Sequence, residues 1–347
     1  MSERRPRSAL YELTRARVIE FLREPEAVFW VFAFPVLMAL ALGVAFRSER
    51  TEESLVGVLQ GPAAADTTRA LSARPGLRVR ELGPEEADKA LRNGTISLLV
   101  VPGQPPAYRF DPTRPESRLA RLVADAALQA AAGRADPLQP REETVKTPGS
   151  RYIDWLLPGL LGMNIMGTGM WSVGFSVVVA RSRKLLKRLM ATPMARGSYL
   201  ASHLLGRLTF LVLEVSTLLV FGRLVFGVRT AGSLLAVAGL CLLGALCFSG
   251  IGLLVAARPR TIEGVSGLMN VVMLPMWLLS GVFFSSAHFP AAAQPFIRAL
   301  PLTALNEALR AVMLEGQGLL GIATQVAVLV AWGGVAFVVA LKIFRWR

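Results

Sequence analysis

The chain alternates between long apolar runs and short basic stretches. Ala27 to Phe46 is a run of 20 residues without a charge. Comparable, mostly apolar runs lie near 155–180, 203–226, 232–257, 265–284 and 319–344. Each is close to the roughly 20 residues that an α-helix needs to cross a bilayer. The pattern therefore predicts an α-helical polytopic membrane protein with six transmembrane helices. Residues 1–26, ahead of the first run, carry Arg4, Arg5, Arg7, Arg15, Arg17 and Arg23. Leu10, Leu13, Val18 and Phe21 share one helical face there, with Arg17 intruding on it. That predicts an interfacial helix with snorkelling arginines.

Between the first and second runs the pattern changes. Residues 47–150 have mixed, nearly balanced charges and frequent proline and glycine. Ser54–Gln60, Leu77–Leu82, Ile96–Val101 and Tyr108–Phe110 read as short strands. Pro84–Asn93 and Pro115–Ala132 read as helices, and in the second Leu119, Leu122, Val123, Ala126 and Ala127 form an apolar stripe at helical spacing. Alternating strands and helices predict a small α/β domain inserted after the first span. It holds no histidine, no cysteine and no phosphate-binding glycine loop. Glu85, Glu86 and Asp88 form an acidic cluster, for which a solvated helix face is the expected reading over a cation site.

Composition and charge then fix the orientation. The chain is 53% hydrophobic with a mean hydropathy of +0.48 and a formal charge of +14. The basic residues cluster beside the apolar runs, as cytoplasmic loops do, which argues against nucleic acid as the reason for the charge. No zinc-type Cys/His spacing or RNA-binding signature is present. Both termini, the 181–198 stretch and Arg258-Pro-Arg260 are expected inside, with residues 47–150 extracytoplasmic. Arg223 and Arg229 run against this trend. Cys241 and Cys247 share one apolar run and read as buried core residues.

Four polar positions at membrane depth are candidates for a translocation path: Asn164, Thr168, Glu214 and Asn270. Two readings of Glu214 compete, since Arg207 lies two turns before it: an internal ion pair, or a group lining a route. Pro275 is expected to kink the fifth span. Residues 295–315 predict short amphipathic helices on or in the outer leaflet, with Leu305, Leu309, Val312 and Met313 on one side. Residues 184–197 predict a short basic amphipathic helix on the cytoplasmic face. Leu185, Leu186, Leu189 and Met190 lie on one side of it, Lys184, Lys187 and Arg188 on another, and Pro193 ends it.

Several stretches resemble the ABC-2 type permeases, the membrane subunits of ABC exporters. Arg151-Tyr-Ile-Asp-Trp-Leu-Leu-Pro-Gly-Leu-Leu-Gly-Met163 resembles that family's entry to the second span. Leu186-Lys-Arg-Leu-Met-Ala-Thr-Pro193 resembles its following loop. Leu279-Ser-Gly-Val-Phe-Phe284 and Leu300-Pro-Leu-Thr-Ala-Leu-Asn-Glu-Ala-Leu-Arg310 resemble its fifth span and outer helices. The 47–150 insertion is similar to that of one large subgroup. The resemblance implies a bacterial inner-membrane exporter of drug-like, lipid or other amphipathic cargo. A separate ABC ATPase subunit would bind ATP and Mg, and a second permease copy, identical or not, would complete the transporter. No cofactor and no catalytic residue is expected in this chain, which lacks a phosphate loop of the Walker type. ATPase coupling is carried over to Lys184, Leu186, Lys187, Arg188, Leu189, Thr192 and Pro193. Lys184 stands where the family commonly has glycine, and Lys187 where it frequently has glutamate. The alternative from another class is a membrane-anchored sensor or scaffold whose 47–150 domain binds an outside partner.

Overall fold

The computed structural model describes residues 9–46, 53–134, 149, 151–182, 196–259 and 261–343. It divides into two compact units, one of residues Ser48–Val145 and one of Met1–Arg47 with Lys146–Arg347.

The smaller unit is a four-stranded sheet covered by helices. Strands β1 (Ser54–Leu59), β2 (Leu77–Leu82), β3 (Leu98–Val101) and β4 (Ala107–Arg109) run in the order β2-β1-β3-β4. β1 is parallel to β2 and β3, with Val56 opposite Val79 and Leu98, and β4 is antiparallel to β3. The helices are α3 (Ala64–Ser72), α4 (Pro84–Arg92) and α5 (Pro115–Ala131). On one face Val56, Val58, Leu98 and Val100 pack with Leu71 of α3 and Ala120, Ala124 and Ala127 of α5. On the other, Leu82 and Leu99 pack with Ala87 of α4 and with Ile96. α4 begins on Pro84 with Glu85 and Glu86 in its first turn and Lys89 and Arg92 in its last, an order that suits the helix dipole.

Two features of this unit differ from the pattern reading. Helix α3 has no counterpart in it, because Ala64–Ser72 is short and half polar. On α5 the face against the sheet is Ser117, Ala120, Ala124 and Ala127, whereas Leu119 and Leu122 are 58% and 61% exposed. Alanine lets the helix axis approach the sheet closely, and the leucine side chains would hold it off. The acidic cluster on α4 is solvated, with Glu86 paired to Arg80 at 3.1 Å and Asp88 to Arg109 at 3.7 Å.

The larger unit is helical. α1 (Ala9–Leu22) lies against α7, which spans Arg196–Phe226. The Phe21 and Phe210 rings meet at 4.1 Å between centroids. α2 (Pro25–Ala45) contains a π-helical turn, Phe29–Ala33, just before Pro35. The remaining helices are α6 (Tyr152–Ser182), α8 (Leu234–Ala256), α9 (Ile262–Leu279), α10 (Gln294–Ala299), α11 (Pro301–Met313) and α12 (Ala323–Ile343). Among the described residues, five helical stretches are long and apolar enough to cross a membrane: α2, Gly206–Phe226 of α7, α8, α9 and α12.

The second predicted run falls in α6, the centre of the packing. Leu156, Leu157, Leu160, Leu161, Ile165, Met166 and Met170 are buried against its neighbours. Lipid supplies no hydrophobic drive between helices, so close backbone approach holds them together. Gly252 of α8 faces the Met170 backbone so closely that a Cβ there would sit 2.7 Å from the Met170 carbonyl oxygen. Gly333 of α12 lies in the same way over the Cys247 backbone. α11 is buried along nearly its whole length, with Leu302, Leu305, Leu309, Val312 and Met313 inaccessible. It packs among α6, α8, α9 and α12.

Candidate functional site

Two polar constellations interrupt the apolar interior of the larger unit. The first lies partway along α6. Pro35 has no N–H, so the carbonyl four residues earlier in α2, that of Val31, loses its ordinary helical donor. The Asn164 side-chain amide donates to that carbonyl at 3.1 Å. One turn on, the Thr168 hydroxyl lies 2.9 Å from the Asn164 carbonyl oxygen and accepts from the Arg207 guanidinium at 2.8 Å. Arg207 also donates to Glu214 Oε1 at 3.1 Å, and the Thr168 hydroxyl is 3.3 Å from the same oxygen. Thr168 has a single proton, and the shorter contact gives it to Asn164. The Glu214 and Arg207 side chains are 0% and 10% exposed. Such a pair persists in an apolar interior because each charge is the other's compensation. Glu214 Oε2 and Arg207 Nε have no hydrogen-bond partner among the described residues.

The second constellation gathers three of the four sequence stretches quoted above. At the start of α6, Asp154 accepts from Arg151 through both oxygens, at 2.7 and 3.0 Å. Arg151 donates in turn to the Phe226 carbonyl at 2.8 Å, closing the C-terminal end of α7. The end of α9 is closed by side chains from two other helices. Asn306 of α11 donates to the Ser280 carbonyl at 3.1 Å. Arg310, one turn later, donates to the Gly281 carbonyl at 2.5 Å and to the Trp155 carbonyl at 3.2 Å. Its guanidinium lies 3.7 Å from the centroid of the Trp155 ring. The Tyr152 hydroxyl donates to the Phe283 carbonyl at 3.1 Å. Helix C-termini leave carbonyls without intrahelical donors, and cationic groups also suit the negative end of the dipole. Gly159 and Gly162 let α6 pass this junction. A Cβ at Gly162 would run into Asn306 Oδ1, and one at Gly159 would meet the Val282 carbonyl oxygen at 2.6 Å.

The sequence candidates are thus sorted. Asn164, Thr168 and Glu214 come together with Arg207 in one connected group. Asn270 stands apart on the exposed side of α9 and makes no side-chain hydrogen bond among the described residues. Glu263, Gly267, Asn270, Val271, Leu274 and Leu278 are exposed at helical spacing along that side. Lys184, Leu186, Lys187, Arg188, Leu189, Thr192 and Pro193 lie outside the described residues. Tyr152, Asn306 and Arg310 were quoted within motifs without a role. The available signal for the last two is an Asn and an Arg four residues apart, which places both on one helix face. Among the described residues no cluster of histidine, cysteine and carboxylate groups suits a metal ion.

Comparison with known proteins agrees with this layout. The family model described as ABC-2 type transporter matches residues 120–314, more than half of the chain. ABC transporter G family member 20 of Dictyostelium discoideum is 27% identical over 229 residues, 66% of this chain and 31% of that protein. The putative transport permease YvfS of Bacillus subtilis is 25% identical over 139 residues, 40% of this chain and 56% of that one. The inner membrane transport permease YadH of Escherichia coli K12 is 26% identical over 202 residues, 57% and 75% of the two chains. The chain therefore spans about a third of the first of these relatives and just over half of the second. With a matched region that runs from α5 through α11, and several helices fit to cross a membrane, this chain is a multi-pass membrane protein belonging to the ABC-2 type transporter family.

Proposed function

We propose that the chain is the permease subunit of an ABC exporter and does no covalent chemistry itself. Two copies, identical or paired with a related chain, would enclose the path, and a separate ATPase subunit would bind ATP and Mg and supply the drive. α6 would be the sixth span. At 31 residues it is ~46 Å long at 1.5 Å per residue, and its burial among other helices explains why it needs less hydropathy than they do. Both termini and residues 184–197 would face the cytoplasm of a bacterial inner membrane, and residues 47–150 the outside. The cargo class that suits so apolar a bundle is drug-like, lipid or otherwise amphipathic.

The observation that carries this reading is the arrangement at the two ends of α6. Its N-terminal end is tied to the end of α7 by Arg151, to the segment after α9 by Tyr152 and to α11 by Arg310. From its C-terminal end the sequence leads into the basic stretch 184–197. A helix so connected turns a displacement at one end into a displacement of the spans at the other. ATP binding that differs in strength between two conformations of the assembly would supply the free energy. The wall of the path is assigned to the Asn270 side of α9, since Asn164, Thr168 and Glu214 are engaged within one copy.

The test is co-purification with the cognate ATPase in lipid discs, followed by ATPase stimulation with chemically distinct cargos. Lys187→Glu combined with Arg188→Glu is expected to abolish both association and export. If both survive unchanged, the coupling role of 184–197 is wrong. Asn270→Leu is expected to reduce export while ATPase association persists.

A further inference from the structure

The face of α5 turned away from the sheet is the surface without an internal explanation. Leu119 and Leu122 are 58% and 61% exposed, while the same helix buries only serine and alanine against the sheet. At 100° per residue Leu119, Leu122 and Ala126 form one stripe, and Arg118 and Arg121 run along one flank of it. Both arginines are exposed, with Arg118 donating to the Pro112 carbonyl at 2.6 Å and the Arg121 guanidinium 5.7 Å from the Phe110 ring centroid. Arg118 makes its contact through Nε and Arg121 lays its guanidinium toward a ring, and both side chains stay exposed. Among the described residues nothing removes the two leucines from solvent.

Leucines flanked by arginines are what a helix lying in a bilayer interface presents. The apolar side chains enter the acyl boundary and the guanidinium groups stay among anionic headgroups. The chain's own connection also keeps the unit near a bilayer. Only residues 46–53 separate α2 from β1, a tether of at most about 28 Å. Such a tether holds a high effective concentration of lipid surface beside the unit, so an otherwise weak contact is populated.

We propose that this face of α5 docks the 48–145 unit on the surface of the membrane that carries the chain, with Leu119 and Leu122 inserted and Arg118 and Arg121 on anionic lipid headgroups. The proposal rests on the chain's membrane embedding and is independent of its transport role.

The test uses the full chain in lipid discs with an environment-sensitive fluorophore on Leu122→Cys. Cys241 and Cys247 are buried and leave the label to the introduced thiol. A second chain labelled at Glu85→Cys, on α4 across the sheet from α5, is the reference for a water-exposed position. In discs with anionic lipid the Leu122 label is expected to emit to the blue of the Glu85 label and to be quenched by a headgroup-depth lipid quencher. The Arg118→Glu, Arg121→Glu variant is expected to lose most of that quenching, and the Glu85 label to be unaffected. Identical emission and quenching at the two positions overturns the proposal. So does a Leu122 label that is shielded equally in detergent and in anionic or zwitterionic discs, because protein, such as a second copy, would then cover the face.

Discussion

Removing one partner of the Arg207–Glu214 pair is the sharpest test of the first constellation. Glu214→Leu leaves the guanidinium of Arg207, 10% exposed, without its counter-charge. Breaking a buried pair from one side costs about 3–5 kcal/mol, whereas replacing both members by apolar groups of similar volume is often neutral. The larger unit has roughly 250 residues, for which 1 kcal/mol moves the unfolding midpoint by about 2–4 °C. Glu214→Leu and Arg207→Met are therefore each expected to lower the midpoint by about 6–20 °C. The double variant should return to within a few degrees of the parent. Tryptophan fluorescence in lipid discs, heated at one fixed rate, reads this, because membrane proteins unfold irreversibly and their midpoints depend on scan rate. A single variant within about 2 °C of the parent, or a double variant that sums the two losses, would refute the reasoning. Export by the double variant then separates the two readings of Glu214. A stable double variant that still exports assigns the pair to structure, and a stable one that does not assigns it to the path.

Three further outcomes follow from the same geometry. Gly162→Ala drives a methyl into Asn306 Oδ1 and is expected to cost about 1–3 kcal/mol, as overpacking does. In an Asn306→Ala background the same change should be close to neutral, which thermal unfolding of the four chains reads. Gly252→Ala meets the Met170 backbone, which cannot yield as a side chain can, and should lower folded yield sharply. Gly239→Ala on the same helix meets nothing within 4 Å and should be silent. In the inserted unit, Tyr108 is pushed up to about 12, first by burial and then by its 3.0 Å bond to Asp125. The folded state thus holds this proton more tightly than the unfolded chain, whose tyrosines titrate near 10. The stabilisation is complete below about pH 10 and is lost as pH rises through 12. Ultraviolet titration of the parent minus Tyr108→Phe should show the late titration, and Asp125→Asn should move it earlier.

The apolar runs were legible because membrane depth dictates their length. In the larger unit, five of them became helices fit to span a bilayer, and the sixth became the buried α6. What periodicity could not say was which face of each helix meets protein. Lipid tails are as apolar as leucine, so a lipid-facing and a buried face carry the same residues. α11 illustrates this. Its apolar side reads as an interfacial stripe, yet Asn306 is buried with it and Arg310 half-buried, because they meet carbonyls at the end of α9 and in α6. On α5 the failure ran the other way, since the larger apolar residues face outward and alanine faces the sheet. The Glu214–Arg207 pairing was legible from spacing along one helix. The bond from Arg207 to the Thr168 hydroxyl was not, because it depends on how α6 and α7 pack.

The two constellations also constrain how the bundle can move. Arg151 reaches the Phe226 carbonyl at the end of α7, and Tyr152 of α6 with Asn306 and Arg310 of α11 reaches those of Phe283, Ser280 and Gly281 at or beyond the end of α9. Helix ends can swing on such contacts, whereas the glycine-mediated contacts of α6 with α8, and of α8 with α12, run along helix sides and resist shear. α9 is held along its length as well, with Val265, Met269, Met273 and Met276 buried and Met269 lying against Gly174 of α6. That same helix bears the one polar candidate, Asn270, that has no internal partner among the described residues. An amide on a spanning helix is costly against lipid and cheap against water or a second copy. An exposed amide without an internal partner is the reason the proposed path lies on the Asn270 side of α9 rather than at the buried carboxylate, which Arg207 already engages.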